Sequence, residues 1–385
     1  MKTVRLGIVG LGNMGSTHAR SILEGRIQRL ELAAVADSSP DRLALLPRVQ
    51  GFRDADRLIA SRLADAVLVA TPHFDHASTG IKALKAGLHV MIEKPISVHK
   101  ADAQLLLAAH RGRKGQIFAA MFNQRTDSCF RKIRELVRGG ELGKIRRVNW
   151  IITNWFRTEA YYASGSWRAT WAGEGGGVLL NQCPHNLDLL QWMFGMPRRV
   201  RAFCGFGRYH HIEVEDDVTA YLEFPNGANA VFITTTGEAP GTSHLEIAAE
   251  NGRLVYENDQ ITYTRNDVPM SVFNRTSEEL FGRPPTREIP VPTEGHGGQH
   301  NEILQNFTDA ILDGKPLIAP AAEGIHSVEL ANAMLLSAWT GKTVELPLNG
   351  RLYERLLRKK ITDSRFKKKK VRAGVAADFA KSFGR

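Results

Sequence analysis

Apolar residues in the first third of the chain come in short runs separated by helical patterns. "VRLGIVG" (4–10) is rich in β-branched residues, and "LELAAVAD" (30–37), "ADAVLVAT" (64–71), "LHVMIEKP" (88–95) and "QIFAAMFN" (116–123) continue the theme. A helix is predicted from about Met14 to Glu24. Others cover "DHASTGIKALKAG", with Gly87 where a C-cap glycine belongs, and "KADAQLLLAAHRGR". Strands that alternate with helices predict a parallel, doubly wound α/β sheet.

The rhythm changes after about residue 125. "KIRRVNWIITNW", "RVRAFCGFG", "DDVTAYLEF", "NAVFITTT", "HLEIAAE" and "GRLVYEN" are strand-like, with turn signals at Pro225-Asn226-Gly227 and Asn251-Gly252. Two helices follow, at about 299–313 and 321–341. The pattern predicts a second, α+β domain with a large, mostly antiparallel open sheet. The expected division is 1–124, 125–350 and a basic tail, 351–385.

Composition adds limits. Of the 385 residues, 43% are hydrophobic and 24% charged, which permits a large core without disulfides. Cys129, Cys183 and Cys204 show no paired spacing, as expected in a reducing cytoplasm. The N-terminus runs straight into a strand pattern rather than a signal peptide, and no apolar run is long enough to span a membrane. The net charge of +11 is concentrated at one end: residues 351–385 carry 13 Lys/Arg against 3 Asp/Glu. Such a run reads as a solvated or partly disordered end, with binding to an acidic partner, nucleic acid or a membrane surface as the alternative. No aromatic stacking pattern interleaves with the lysines, which argues against a specific nucleic-acid reader. Cys183 and His185, or His210 beside His211, lack zinc-ligand spacing, so no metal is expected.

Gly10-Leu11-Gly12-Asn13-Met14-Gly15 is a G-x-G-x-x-G between a strand and a helix, the context of a dinucleotide-binding Rossmann turn. Gly10 allows the turn, Gly12 the approach of a pyrophosphate and Gly15 the packing of helix on strand. Asp37 ends the second strand, where a carboxylate accepts hydrogen bonds from ribose and repels a 2′-phosphate. That favours NAD over NADP, although Arg42 lies close in sequence. Thr71-Pro72-His73 and Glu93-Lys94-Pro95 end the third and fourth predicted strands and should line the cleft. Asn13, Met14, Ser38, His76 and Asn123 extend the cofactor set.

The stretch 174–188, "EGGGVLLNQCPHNLD", sets three costly glycines before Asn181, His185 and Asp188. If residues 181–188 are helical, these three share one face. With "GIVGLGNMG", "VADSSPDR" and "EKPIS" in the same order, the stretch "GGGVLLNQCPHNLDLLQW" resembles the glucose–fructose oxidoreductase/inositol dehydrogenase family, Gfo/Idh/MocA, over roughly residues 3–345. The resemblance implies a sugar or cyclitol substrate, a nicotinamide cofactor with the Trp167–Arg168 pair near it, and homo-oligomer contacts, as a dimer or tetramer, through the open sheet. It gives the glycines a purpose, close approach near the nicotinamide. It also marks a departure, because Asn181 stands where the family pattern has Asp. Asn cannot act as a general base, but it can orient a hydroxyl.

Oxidising a secondary alcohol needs a hydride acceptor and a proton acceptor. His185, with an imidazole of suitable reference pKa, is the expected proton acceptor, with Lys94 stabilising the alkoxide. Lys94 as the acceptor is the rival assignment. Asp188 is expected to orient His185 or cap backbone. Arg125, Trp155, Tyr162, Asn181 and His300 are expected to shape the substrate pocket. The leading expectation is an NAD-dependent sugar, glycoside or cyclitol dehydrogenase. The alternatives are a redox-neutral, NAD-retaining lyase or glycosidase, and a nucleotide-binding regulator.

Overall fold

The structure, a computed structural model, describes residues 2–368. Six strands form the first sheet: β1 (Val4–Val9), β2 (Leu30–Ala36), β3 (Gln50–Phe52), β4 (Ala66–Val69), β5 (His89–Ile92) and β6 (Phe118–Ala120). They are parallel in the order β3-β2-β1-β4-β5-β6, the doubly wound arrangement. The edge strand β3 escapes the sequence pattern, because it is three residues long and largely exposed. The helix after β1, Asn13–Leu23, buries Gly15, His18, Ala19 and Ile22, an i, i+3, i+4, i+7 face.

The second sheet has nine strands: β7 (Ile145–Ile152), β8 (Arg199–Phe206), β9 (Glu215–Glu223), β10 (Asn229–Thr235), β11 (Ser243–Ala249), β12 (Gly252–Glu257), β13 (Gln260–Asn266), β14 (Thr286–Pro290) and β15 (Val344–Glu345). Their order is β14-β13-β12-β11-β7-β10-β9-β8-β15. All neighbours are antiparallel except β7 and β10. Burial alternates along the strands. Val200 and Ala202 of β8 and Val218, Ala220 and Leu222 of β9 face the core, while Phe203 and Tyr221 remain 64% and 44% exposed. Helices Pro184–Phe194 and Gly324–Thr340 supply the other side of that core. The core around the first sheet also takes in Ile303, Leu304 and Phe307 from helix Gln299–Asp313.

Two expectations change. The range expected to be a tail opens with a helix, Gly350–Asp363, capped by Asn349 and anchored by Tyr353 and Leu357 on one buried face. The density of charge hid that i, i+4 pair. Residues 369–385, with half of the lysine run at 367–370, lie outside the described residues. The helix carrying His185 begins at Pro184, so Asn181 belongs to the preceding turn and not to the His185–Asp188 face. Proline suits the first helical position because its missing N–H has no intrahelical partner to lose.

The glycine triplet is explained by its own neighbours. Gly175 has φ +78°, and a Cβ there would come 2.1 Å from Val98. A Cβ on Gly177 would come 1.9 Å from the carbonyl oxygen of Glu215. The stretch therefore lies flat against protein, whereas the sequence reading assigned the glycines to the approach of the cofactor. The fully buried Glu215 secures it. Its Oε1 accepts from the N–H groups of Gly177, at 2.8 Å, and Leu179, at 3.0 Å, while its Oε2 has no partner among the described residues. Burial raises the pKa of Glu215 from the ordinary 4.5 to about 7, against the opposing N–H donors.

That shift has a testable sign. A carboxyl with a raised folded-state pKa stabilises most fully while protonated, below about 4.5, and this is lost as pH rises through about 7. Thermal unfolding of Glu215→Gln should show a flatter pH dependence across this window than the wild type, by up to about 3 kcal/mol. Equal pH dependence in both would refute the assignment. Glu215→Ala should be destabilised at every pH, since it strands two buried N–H donors.

Candidate active site

The predicted cofactor residues gather where a doubly wound sheet binds ligands, beyond the C-terminal ends of its strands. Gly10 follows β1, Asp37 follows β2, Thr71 and Pro72 follow β4, and Glu93 and Lys94 follow β5. Gly10 has φ +94°, and a Cβ there would lie 2.5 Å from the carbonyl oxygen of Ala70. A Cβ on Gly15 would collide with the Gly10 carbonyl at 1.8 Å, whereas one on Gly12 would meet no protein atom within 4 Å. The first and third glycines thus close the turn, and the second faces open space. No side chain caps the helix that begins at Asn13, so its first N–H groups remain available to an anion. Met14 lies in that first turn.

The Asp37 carboxylate is pinned by the N–H groups of Leu11, at 2.7 Å, and Ser39, at 2.8 Å. Arg42 leans on it at 3.3 Å. A carboxylate has about four acceptor positions, so this geometry leaves capacity for ribose hydroxyls. Ser38 sits beside it in the chain. Three more polar atoms are buried without a partner among the described residues: Thr71 Oγ1, Asn123 Oδ1 and His185 Nδ1. An open glycine, an uncapped helix start and orphaned polar atoms fit a dinucleotide with its ribose and carboxamide groups.

Two histidines brace the rim. His76 lies between the carbonyls of Pro95 and Thr71, 2.7 Å from each, and joins the ends of two strands. The His73 ring packs edge-on against Trp167, with centroids 5.4 Å apart. Arg168 stacks on Trp167 and donates to the Tyr161 hydroxyl at 2.9 Å. The Trp167–Arg168 segment of the second sheet's domain is thereby brought to the first. Asn123 donates to Gln299 at 2.7 Å.

The two halves meet at Lys94. Its Nζ donates to the backbone carbonyl of Asn181 at 2.9 Å. Burial pushes the pKa of Lys94 below its ordinary 10.5, and Arg168 and Arg157 act in the same direction against Glu93 and Glu174. His185 is 4% exposed, and its ring lies edge-on to Phe122. Burial, then the charges of Lys94 and His300, pushes its pKa well below 6.5, so the imidazole is neutral. His300 faces His18 with ring centroids 5.6 Å apart, and burial lowers its pKa to about 4. The Lys94–Pro95 peptide is cis.

Several predicted roles move. Asp188 does not orient His185; it holds Arg125 through two bonds of 2.6 and 2.7 Å. Arg125 is 1% exposed and also bonds Glu323 and the Ile318 carbonyl, so its guanidinium is committed to the protein interior. Tyr162 is buried with its hydroxyl on Thr236 at 2.7 Å, while the adjacent Tyr161 carries the contact to Arg168. Trp155 is buried beneath the Arg157 guanidinium. Among the described residues no three His, Cys, Asp or Glu side chains gather to hold a metal ion, and no helix is long and apolar enough to cross a membrane.

The sequence reading also missed residues. His18 lies 2.6 Å from Glu93. Burial would raise the pKa of Glu93, but this bond and the positive charges nearby lower it to about 2. The buried helical face of Gly15, His18 and Ile22 was the available signal for His18. Glu174 is fully buried beside Asn181, and its one sequence clue was a lone carboxylate directly before the glycines.

Comparison with known proteins gives the same answer. Residues 4–121 match an oxidoreductase family with an NAD-binding Rossmann fold, and residues 130–255 match the GFO/IDH/MocA C-terminal domain. The chain belongs to the Gfo/Idh/MocA oxidoreductase family. It is 30% identical to the myo-inositol 2-dehydrogenase of Thermotoga maritima over 354 residues, covering 89% of this chain and 98% of the relative. It is 25% identical to the inositol 2-dehydrogenase of Rhizobium meliloti, covering 87% and 97%. Among solved structures, the WlbA dehydrogenase of Chromobacterium violaceum, in complex with NADH and UDP-GlcNAcA, superposes with a TM-score of 0.78. The two chains are 26% identical, and the match covers 91% of this chain and 97% of the other.

The Asp37 assignment is open to test. Asp37→Ala should weaken NAD binding and relax discrimination against NADP, as read by titration of each cofactor into the protein. Unchanged preference would remove Asp37 from cofactor selection.

Proposed function

We propose that this member of the family is an NAD-dependent dehydrogenase acting on a secondary hydroxyl of a sugar, glycoside or cyclitol. The observation that carries the reading is the Lys94–Asn181 contact. It holds an ammonium of lowered pKa just beyond β5, close enough for its charge to act on the neutral imidazole of His185. The inositol dehydrogenases among the relatives support the substrate class. The Asp37 carboxylate supports NAD over NADP.

Bound NAD would supply the hydride acceptor. Gly12 and the helix start would hold its phosphates, and Asp37 its adenosine ribose. Lys94 would bind the reacting hydroxyl and take its proton. Burial moves Lys94 toward neutrality, where a proton carrier works best, and moves His185 away from it. This reverses the order that residue type alone favours. His185, neutral and held by helix Pro184–Phe194, would orient the same oxygen by a hydrogen bond. The open face of the second sheet, with Phe203 and Tyr221 exposed, would carry the contacts of a homodimer or homotetramer.

The test is absorbance of reduced nicotinamide when the protein is mixed with NAD or NADP and a panel of inositols, aldoses, glycosides and sugar acids. Growth of the band with one class is expected, and a flat trace across the panel would defeat the reading. Lys94→Met should then abolish the rise of turnover with pH in the oxidising direction. His185→Ala should lower turnover about 10²–10³-fold while NAD still binds. A Lys94→Met variant that keeps its pH limb would return the proton to another group.

A further inference from the structure

Position 181 carries an amide where the family pattern has a carboxylate, and the structure places a carboxylate directly behind it. The Asn181 Nδ2 group donates to Oε1 of Glu174. Glu174 is 1% exposed, and its Oε2 accepts from the Ala169 N–H at 2.6 Å. Both oxygens are therefore acceptors in this arrangement, as in an ionised carboxylate. Burial raises the pKa of Glu174 above its ordinary 4.5, and Arg168, the Ala169 N–H, the Asn181 amide and Lys368 oppose that shift. The other end of the amide, Asn181 Oδ1, accepts no hydrogen bond from a described residue and is not among the buried unpartnered atoms. It remains accessible, on the same residue whose backbone carbonyl receives Lys94 Nζ.

An Asn side chain can present either a donor or an acceptor, and its neighbours decide which. With both Glu174 oxygens accepting, the NH2 end of the amide turns inward and its oxygen outward. We propose that Glu174 is a positioning residue that holds the Asn181 amide in this sense, so that position 181 offers the substrate a hydrogen-bond acceptor beside Lys94. The family's Asp offers an acceptor at this position through its own carboxylate. Here the acceptor is kept and the carboxyl group is set back behind it. The ammonium of Lys94 thus has an uncharged neighbour at 181. The ligand this arrangement reads is a hydroxyl that donates to Oδ1, such as the one next to the reacting carbon in a vicinal diol. The assignment of that hydroxyl rests on the dehydrogenase reading; the orientation of the amide does not.

The test exchanges donor and acceptor between the two positions. The full-length wild type, Glu174→Gln, Asn181→Asp and the double variant are compared near neutral pH. Two quantities are read: the thermal midpoint, and kcat/KM with NAD on the active polyol of the panel, myo-inositol being the first probe. In Glu174→Gln, the Ala169 N–H still claims the new amide's oxygen, so its NH2 faces position 181. The Asn181 amide must then reverse and offer the substrate a donor, and kcat/KM should fall about 10-fold or more. Asn181→Asp sets two carboxylates against each other, and both readouts should fall.

In the double variant the amide at 174 donates to the carboxylate at 181, whose second oxygen faces the cleft. Both the thermal midpoint and kcat/KM should recover well above either single variant. Losses that simply accumulate would overturn the proposal. Recovery of the thermal midpoint without kcat/KM would overturn it too, since the pair would then be structural only. If the wild type turns over no polyol, the dehydrogenase reading fails separately. The thermal comparison then decides the amide orientation alone: recovery in the double variant upholds it, and further loss refutes it.

Discussion

The hydrogen bond from Lys94 to the carbonyl of Asn181 joins the two sheets at the point where chemistry is expected. Lys94 is placed by the end of β5. Asn181 is placed by a turn that must lie flat on Val98 and on the backbone of Glu215. Three glycines make that possible, and the buried Glu215 carboxyl holds the turn by its N–H groups. A Cβ at Gly175 or Gly177 would lift the turn and separate the lysine from its acceptor.

The charged groups around this contact find their direct partners elsewhere than in one another. Glu93 has His18 at 2.6 Å, and Glu174 has an amide and a backbone N–H, while Lys94 bonds a neutral carbonyl. An ammonium without a direct carboxylate partner in a confined site holds its proton less firmly. A neutral imidazole nearby adds hydrogen bonding without further charge. The bidentate Arg125–Asp188 pair lies deeper and anchors helix Pro184–Phe194 to the segment that follows β6.

Much of this was legible in the residues. The order of strands and helices, the G-x-G-x-x-G turn, Asp37 at the end of β2 and Lys94 at the end of β5 all follow from local patterns. What failed did so for identifiable reasons. β3 was too short to show periodicity. The helix Gly350–Asp363 was masked by its charges. Tyr161 and Tyr162 are adjacent in sequence, and only packing shows which of them reaches Arg168.

By itself the sequence determined the two sheets, the cofactor turn and the family, because backbone periodicity and glycine requirements are local. Tertiary structure alone decided the partners of the polar groups. Asp188 lies 63 residues from Arg125, and Glu215 lies 38 from Gly177. A buried side chain takes its charge and hydrogen-bond direction from whatever the fold packs against it, and no run of neighbouring residues records that. The meaning of Asn181 is the clearest case. Its amide can face either way in the sequence, and the buried carboxylate behind it fixes which way it faces in the protein.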